Sequence, residues 1–263
     1  MNIRVYTGRE EQMLKISIRT TSGKQEKIRI VVCDAEQNNT VFTNRYKVFD
    51  GDQDFFVRLP LAPKAALVQI YNEAIGNRPE KEETTFCLIG DGIVRMPLEK
   101  KMDVVDMANP DIRSFVKFVT GFCYYMGIMK TGEYSSRDER IKIKFVPMIM
   151  RGETESTTPA RISEQSKIIE VSQAIMLPFT VPMRFAILCH EFAHCYLNKI
   201  PESETEADLQ GLLLYLGLGF PRIEAHLAFT QTFQGAATPL NEKRYRILKR
   251  FIEDFEEHKF VQL

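Results

Sequence analysis

The spacing of apolar positions changes about a third of the way along the chain. Near the start, Leu14, Ile16 and Ile18 alternate with Lys15, Ser17 and Arg19, the period of a half-buried strand. A turn is expected at residues 21–23. Residues 27–33 (KIRIVVC) read as the next strand and end in a polar turn at 34–39. Residues 41–49 follow, then a turn at Asp50, Gly51 and Asp52, then residues 55–59. Residues 66–71 and 85–89 complete the series, with Pro60 and Pro63 in a connection rather than a strand interior. Short strands with a turn signal roughly every 8–12 residues predict an antiparallel sandwich.

Beyond residue 98 the apolar period lengthens. Asn109, Pro110 and Asp111 form a helix start, with a capping side chain, a proline at the first helical position and an acid in the first turn. Ile112, Phe115, Val116, Val119, Phe122, Cys123 and Met126 continue it at helical spacing. Residues 141–149 alternate and predict a strand. Residues 151–167 are polar and read as a mobile loop, and 168–172 (IIEVS) as a short strand. Helices are expected at about 182–198, 204–216, 221–233 and 241–257. The fold class expected is α+β. A β-sandwich over 1–98, binding a partner or orienting a substrate, precedes a mostly helical domain with a small sheet over 99–263.

Charge and cysteine content narrow the partners. Lys+Arg and Asp+Glu both number 35, so the balance argues against nucleic acid or an anionic membrane. The longest apolar stretches, 112–129 and 185–197, are interrupted by Arg113 and Lys117 and by His190, Glu191 and His194, and neither reads as a membrane span. The first residues lack a basic start followed by an apolar run, so no secretory signal is expected. Five cysteines with no CxxC predict reduced thiols, in the cytoplasm or within a larger particle. Lys243, Arg244, Arg246, Lys249 and Arg250 lie beside an apolar stripe of Tyr245, Leu248, Phe251, Ile252 and Phe255, the pattern of a docked amphipathic helix.

The candidate chemistry is in residues 189–195, CHEFAHC. His190 and His194 are four apart on an expected helix, so they share a face one turn apart and can bind one cation. Glu191 is about 100° round the helix, within reach of a water on that cation. Cys189 and Cys195 flank the motif and read as buried small residues. A third ligand is expected from PESETEAD at 201–208, where three glutamates compete. Ser203 and Glu206 have capping-box spacing, which gives Glu206 a local task. Glu204, Ala207, Asp208 and Gly211 share one face. Its small residues allow close packing on the HEFAH helix, so Glu204 is read as the ligand and Asp208 as the acceptor for a histidine's other ring N–H.

HEFAH followed by ETEAD resembles the gluzincin metallopeptidases, whose pattern is HExxH and then ExxAD on the next helix. The resemblance covers roughly residues 168–234 and implies a soluble zinc peptidase. It implies zinc on His190, His194 and Glu204, and Glu191 as general base. It further implies a peptide or protein substrate paired along an edge strand at 168–172, and a group that stabilises the oxyanion. His226, Arg244 and Tyr245 are the candidates for that group, against packing roles for each. The chain departs from better-known members in having nine residues between His194 and Glu204. The alternative is a structural or assembly component, for example of a phage virion, that keeps the fold as a scaffold. A metal-binding regulator without turnover is a third reading.

Overall fold

The alternating positions of the first third form seven strands: β1 (Asn2–Tyr6), β2 (Gln12–Thr20), β3 (Glu26–Asp34), β4 (Val41–Phe49), β5 (Asp52–Leu59), β6 (Ala65–Asn72) and β7 (Phe86–Pro97). In this computed structural model the described residues are 1–20, 25–72, 86–100, 102–234 and 238–256. The turn expected at 21–23, the start of the strand expected from Thr85 and the last residue of the expected C-terminal helix lie outside them. The chain divides into two compact units, Met1–Glu99 and Lys100–Leu263.

The first unit holds two antiparallel sheets, ordered β1-β6-β3-β4 and β5-β2-β7. Leu14, Ile16 and Ile18 on β2 face Val57 and Phe55 across the ladder and are fully buried. Ile30 and Val32 on β3 pair with Ile70 and Val68 on β6, also fully buried. Period-2 alternation puts each apolar set on one face. The unit has no helix among its described residues, so the two apolar faces cover each other. β1 was not expected from the pattern, because Ile3 and Val5 are only two apolar positions. β7 runs further than the expected 85–89.

The second unit begins with α1 (Pro110–Tyr125), capped by the Asn109 side chain, which accepts from the amides of Asp111 and Ile112. Strands β8 (Gly132–Ser135), β9 (Lys142–Val146), β10 (Met150–Arg151), β11 (Thr154–Glu155), β12 (Ala160–Ile162) and β13 (Ile168–Ser172) follow. After them come α2 (Gln173–Met176), α3 (Val181–Tyr196), α4 (Glu204–Gly217), α5 (Arg222–Gln234) and α6 (Pro239–Glu256). The molecule is therefore α+β. No described helix is long and apolar enough to cross a membrane.

Three expectations are corrected here. Residues 151–167 are not simply a loop: they contain β11, which closes a hairpin with β10, and β12, which pairs antiparallel with β13. These strands are two and three residues long, too short to carry a period. Because β12 covers one side of β13 and β9 runs parallel on the other, the sheet order is β12-β13-β9-β8. Residues 168–172 are thus an inner strand, and among the described residues β12 is the outer strand on that side. The strand expected over 141–149 stops at Val146, where Pro147 supplies no ladder N–H.

Helix α3 is the centre of this unit and packs on α1, α4, α5 and β12. Phe115 of α1 stacks on Phe192 with ring centroids 4.1 Å apart. Arg184 is buried in the same layer, only 1% exposed, with its guanidinium donating to the carbonyls of Met176, Leu177 and Cys123. Those carbonyls belong to the ends of α1 and α2, where unpaired oxygens and the helix dipole favour a cation. Helix α6 docks through Leu248, Ile252 and Phe255, all buried, as the stripe predicted.

Candidate metal centre

Helix α3 starts at Thr180, whose hydroxyl accepts from the Met183 amide, with Pro182 in the first turn. The helix places His190 and His194 one turn apart with their Nε2 atoms 3.2 Å from each other. It ends sharply, the amides of Leu197 and Asn198 both donating to the Ala193 carbonyl. The link to α4 then folds back under the helix end. Asn198 Nδ2 donates to the Ser203 carbonyl, and the Glu206 carboxylate accepts from the amides of Lys199 and Ile200. That fold brings the Pro201 carbonyl to 2.7 Å from His194 Nδ1. A carbonyl only accepts, so Nδ1 carries a proton, and in the neutral ring Nε2 keeps its lone pair.

Helix α4 delivers the third group. The Ser203 hydroxyl caps it by accepting from the Glu206 amide, one half of the expected capping box. The other half differs, because the Glu206 carboxylate reaches the linking loop rather than the Ser203 amide. Glu204, in the first turn, sets Oε2 3.5 Å from His190 Nε2 and Oε1 3.7 Å from His194 Nε2. Asp208, one turn on and 1% exposed, lies with Oδ1 2.9 Å from His190 Nδ1. Arg244 from α6 donates to Asp208 Oδ2 at 2.7 Å and Oδ1 at 2.9 Å, and meets Glu204 Oε2 at 2.9 Å. A bidentate guanidinium fixes the carboxylate plane as well as its charge. The two histidines are thus met at Nδ1 with their Nε2 atoms toward Glu204, whose Oε2 also meets Arg244.

The ionisation of the cluster follows from burial set against charge. Burial works to lower the His190 pKa, but the Asp208 contact and the charges of Glu191, Asp208 and Glu204 outweigh it and raise it. Burial works to raise the Asp208 pKa, and His190 and Arg244 reverse that. Glu191 is pushed up to about 7, first by burial, with His190 pulling it down and Glu204 pushing it up. The Ile162 amide on β12 donates to this carboxyl. Glu191 therefore sits between the histidine pair and the outer strand β12.

These side chains open into a cavity of about 500 Å³. One wall is the β12 segment from Thr157 to Ile162, and the other includes Ile187, Phe229 and Arg244. His190, Glu191, His194, Glu204 and Asp208 all line it. Of the three expected oxyanion stabilisers, only Arg244 does so. His226 and Tyr245 are instead engaged with each other, the Tyr245 hydroxyl 3.0 Å from His226 Nε2, and neither lines the cavity. Both cysteines lie outside the cluster of possible ligands. Cys189 is fully buried with its thiol pKa raised by desolvation, and Cys195 is half-buried. The β12 wall and the Pro201 carbonyl have no signature in the sequence, because both depend on chain reversals that bring a backbone group to the site.

The ligand atoms of His190, His194 and Glu204 all lie within 4.8 Å of one another, and this group can hold a metal ion. Ligands about 2.0–2.1 Å from one tetrahedral ion are about 3.4 Å from each other, close to the separations found here. Comparison with protein families, with curated proteins and with solved structures returns no match.

Proposed function

We propose that this chain is a zinc-dependent peptidase of the gluzincin kind. The observation that carries the reading is the convergence of two imidazoles and one carboxylate, with a second, buried carboxyl beside them facing the outer strand β12. Two neutral imidazoles and one carboxylate form the donor set of zinc sites that keep a position open for substrate. His190, His194 and Glu204 would hold the ion, which when bound supplies Lewis-acid polarisation of a carbonyl and of a water.

The remaining chemistry belongs to the chain. Glu191, with its pKa near 7, takes the proton of the attacking water and passes it to the leaving amine nitrogen. Asp208 and the Pro201 carbonyl keep both histidines in the tautomer that presents Nε2. Arg244 acts through Glu204 and Asp208, fixing the direction of each. Apart from the Ile162 amide that Glu191 takes, the outer edge of β12 would offer backbone groups to an extended peptide running past Glu191.

The test combines metal content with activity. Purified without chelator, the chain should carry about one zinc, and Glu191→Gln should keep both zinc and fold. The variant should lose hydrolysis of a peptide library by about 10²–10⁴-fold. A chain that takes up no zinc removes the proposal. Wild type and variant equally inert, with zinc bound, would move the reading to a scaffold or assembly role.

A further inference from the structure

The cleft beside the metal centre differs at its two ends. Along α3, Ile187 lines it one turn before the histidine pair, and His194 lies about 10 Å further on. Helix α5, whose Glu224 accepts from Thr180 at the start of α3, adds Phe229 to the lining. The His194 end is flanked by two carboxylates. Glu202 follows Pro201, whose carbonyl meets His194 Nδ1, and lines the cavity from the link between α3 and α4. Glu164 lines it from the other wall, just past the end of β12. The thiol of Cys195, the residue after His194, is pushed up by burial first, pulled down by Lys167 and pushed up again by Glu164, which sets Glu164 at this end.

The charges of the metal centre offset one another. The carboxylates of Glu191, Glu204 and Asp208 stand against the Arg244 guanidinium and the dication that His190, His194 and Glu204 would hold. The other cations nearby are committed elsewhere. Arg161 also lines the cavity, but its Nε donates to Glu170 at 2.8 Å. Lys167 does not line it, and its Nζ stands over the Tyr196 ring, 5.1 Å from the centroid. Glu164 and Glu202 are exposed and form no ion pair among the described residues. The excess charge of the cleft is therefore negative and sits at the His194 end. A cleft with an excess of one sign concentrates ligands of the other.

We infer that the cleft takes peptides with a basic residue on the amino-terminal side of the scissile bond, and that Glu164 and Glu202 set this preference. The inference rests on the peptidase reading and adds the substrate class to it. The direction comes from β12. The Ser172 amide donates to the Pro159 carbonyl, and the Ser163 amide to the Ile168 carbonyl. Alternate residues therefore face β13, and Ala160 and Ile162 turn their backbone groups outward, the Ile162 amide to Glu191. A peptide added there antiparallel, the more stable ladder, runs from the Glu164 end toward Ala160. The bond under attack lies beside Glu191. Residues before it pass between Glu164 and Glu202, and residues after it pass Ile187 and Phe229.

The test uses the full zinc-loaded chain and two blocked peptides, Ala-Lys-Lys-Phe-Ala-Ala and Ala-Glu-Glu-Phe-Ala-Ala. Calorimetry on Glu191→Gln reads binding without turnover. The lysine peptide should bind more tightly by about tenfold, and the ratio should shrink as salt is raised. Glu164→Gln combined with Glu202→Gln, both at exposed positions, should bring the ratio to about twofold or less. Wild type should cut the lysine peptide on the carboxyl side of a lysine, read from product masses. Equal binding, a ratio untouched by the double substitution, or cleavage only on the amino side of the lysines would overturn the inference and leave the peptidase reading standing. Binding of neither peptide would overturn both. A lysine preference that the double substitution removes, with no hydrolysis by wild type, would keep the selectivity of the cleft and remove the peptidase reading.

Discussion

Gly211 of α4 faces the backbone of His190 so closely that a Cβ at position 211 would lie 2.8 Å from the His190 nitrogen. It would also meet the Cys189 carbonyl at 2.8 Å. These are backbone atoms of a buried helix and cannot turn aside. Gly211→Ala should push α4 outward, carry Glu204 away from the histidines, and cost about 1–3 kcal/mol of stability through overpacking. Chemical unfolding and a chelator-competition titration check the two effects. Unchanged stability and unchanged metal affinity would contradict the close approach.

The three acids of α4 should separate by role. Glu204→Ala removes a ligand atom and should weaken metal binding most. Asp208→Ala frees His190 Nδ1 and Arg244, and should cost about 10–100-fold in affinity. Glu206→Ala loosens the loop that carries the Pro201 carbonyl, and should have the smallest effect. Metal titration of the three variants gives the ranking, and equal losses would mean that Glu204 is not the ligand.

Burial of Glu191 gives the metal-free protein a characteristic pH dependence. Its folded pKa of about 7 lies above the usual glutamate value of about 4.3. The folded state therefore favours the protonated carboxyl, and the resulting stability is full below about pH 4 and declines as pH rises through 7. Glu191→Gln, which cannot ionise, should lack that decline. The metal-free variant should be more stable than the metal-free wild type at pH 8, and the gap should close toward pH 4. Parallel denaturation curves across this range would show that Glu191 is not desolvated.

Arg184 tests the core that carries α3. Arg184→Met keeps much of the apolar stem but leaves the carbonyls of Met176, Leu177 and Cys123 without these donors. Losing a buried partner leaves a desolvation penalty of about 1–3 kcal/mol per group, and the Met176 carbonyl keeps the Phe179 amide, so the variant should lose about 2 kcal/mol or more. Urea unfolding measures it. A loss under about 1 kcal/mol would show that water or repacking replaces the guanidinium.

The sequence by itself determined what depends on neighbours along the chain. The spacing of His190 and His194, the cap at Ser203, the face shared by Glu204, Asp208 and Gly211, and the apolar stripe of α6 all follow from helical geometry over a few residues. The alternation of β2 to β6 is equally local. What only the tertiary structure decided is which distant groups meet. Arg244 reaches Asp208 from 36 positions away. Tyr245, its neighbour in sequence, turns to His226 instead. β12 is only three residues long and becomes a strand because β13 offers it a ladder. Hydrogen bonds between remote segments leave no period in the residues that make them, so the inner place of β13 and the outer place of β12 appear only once the chain is folded.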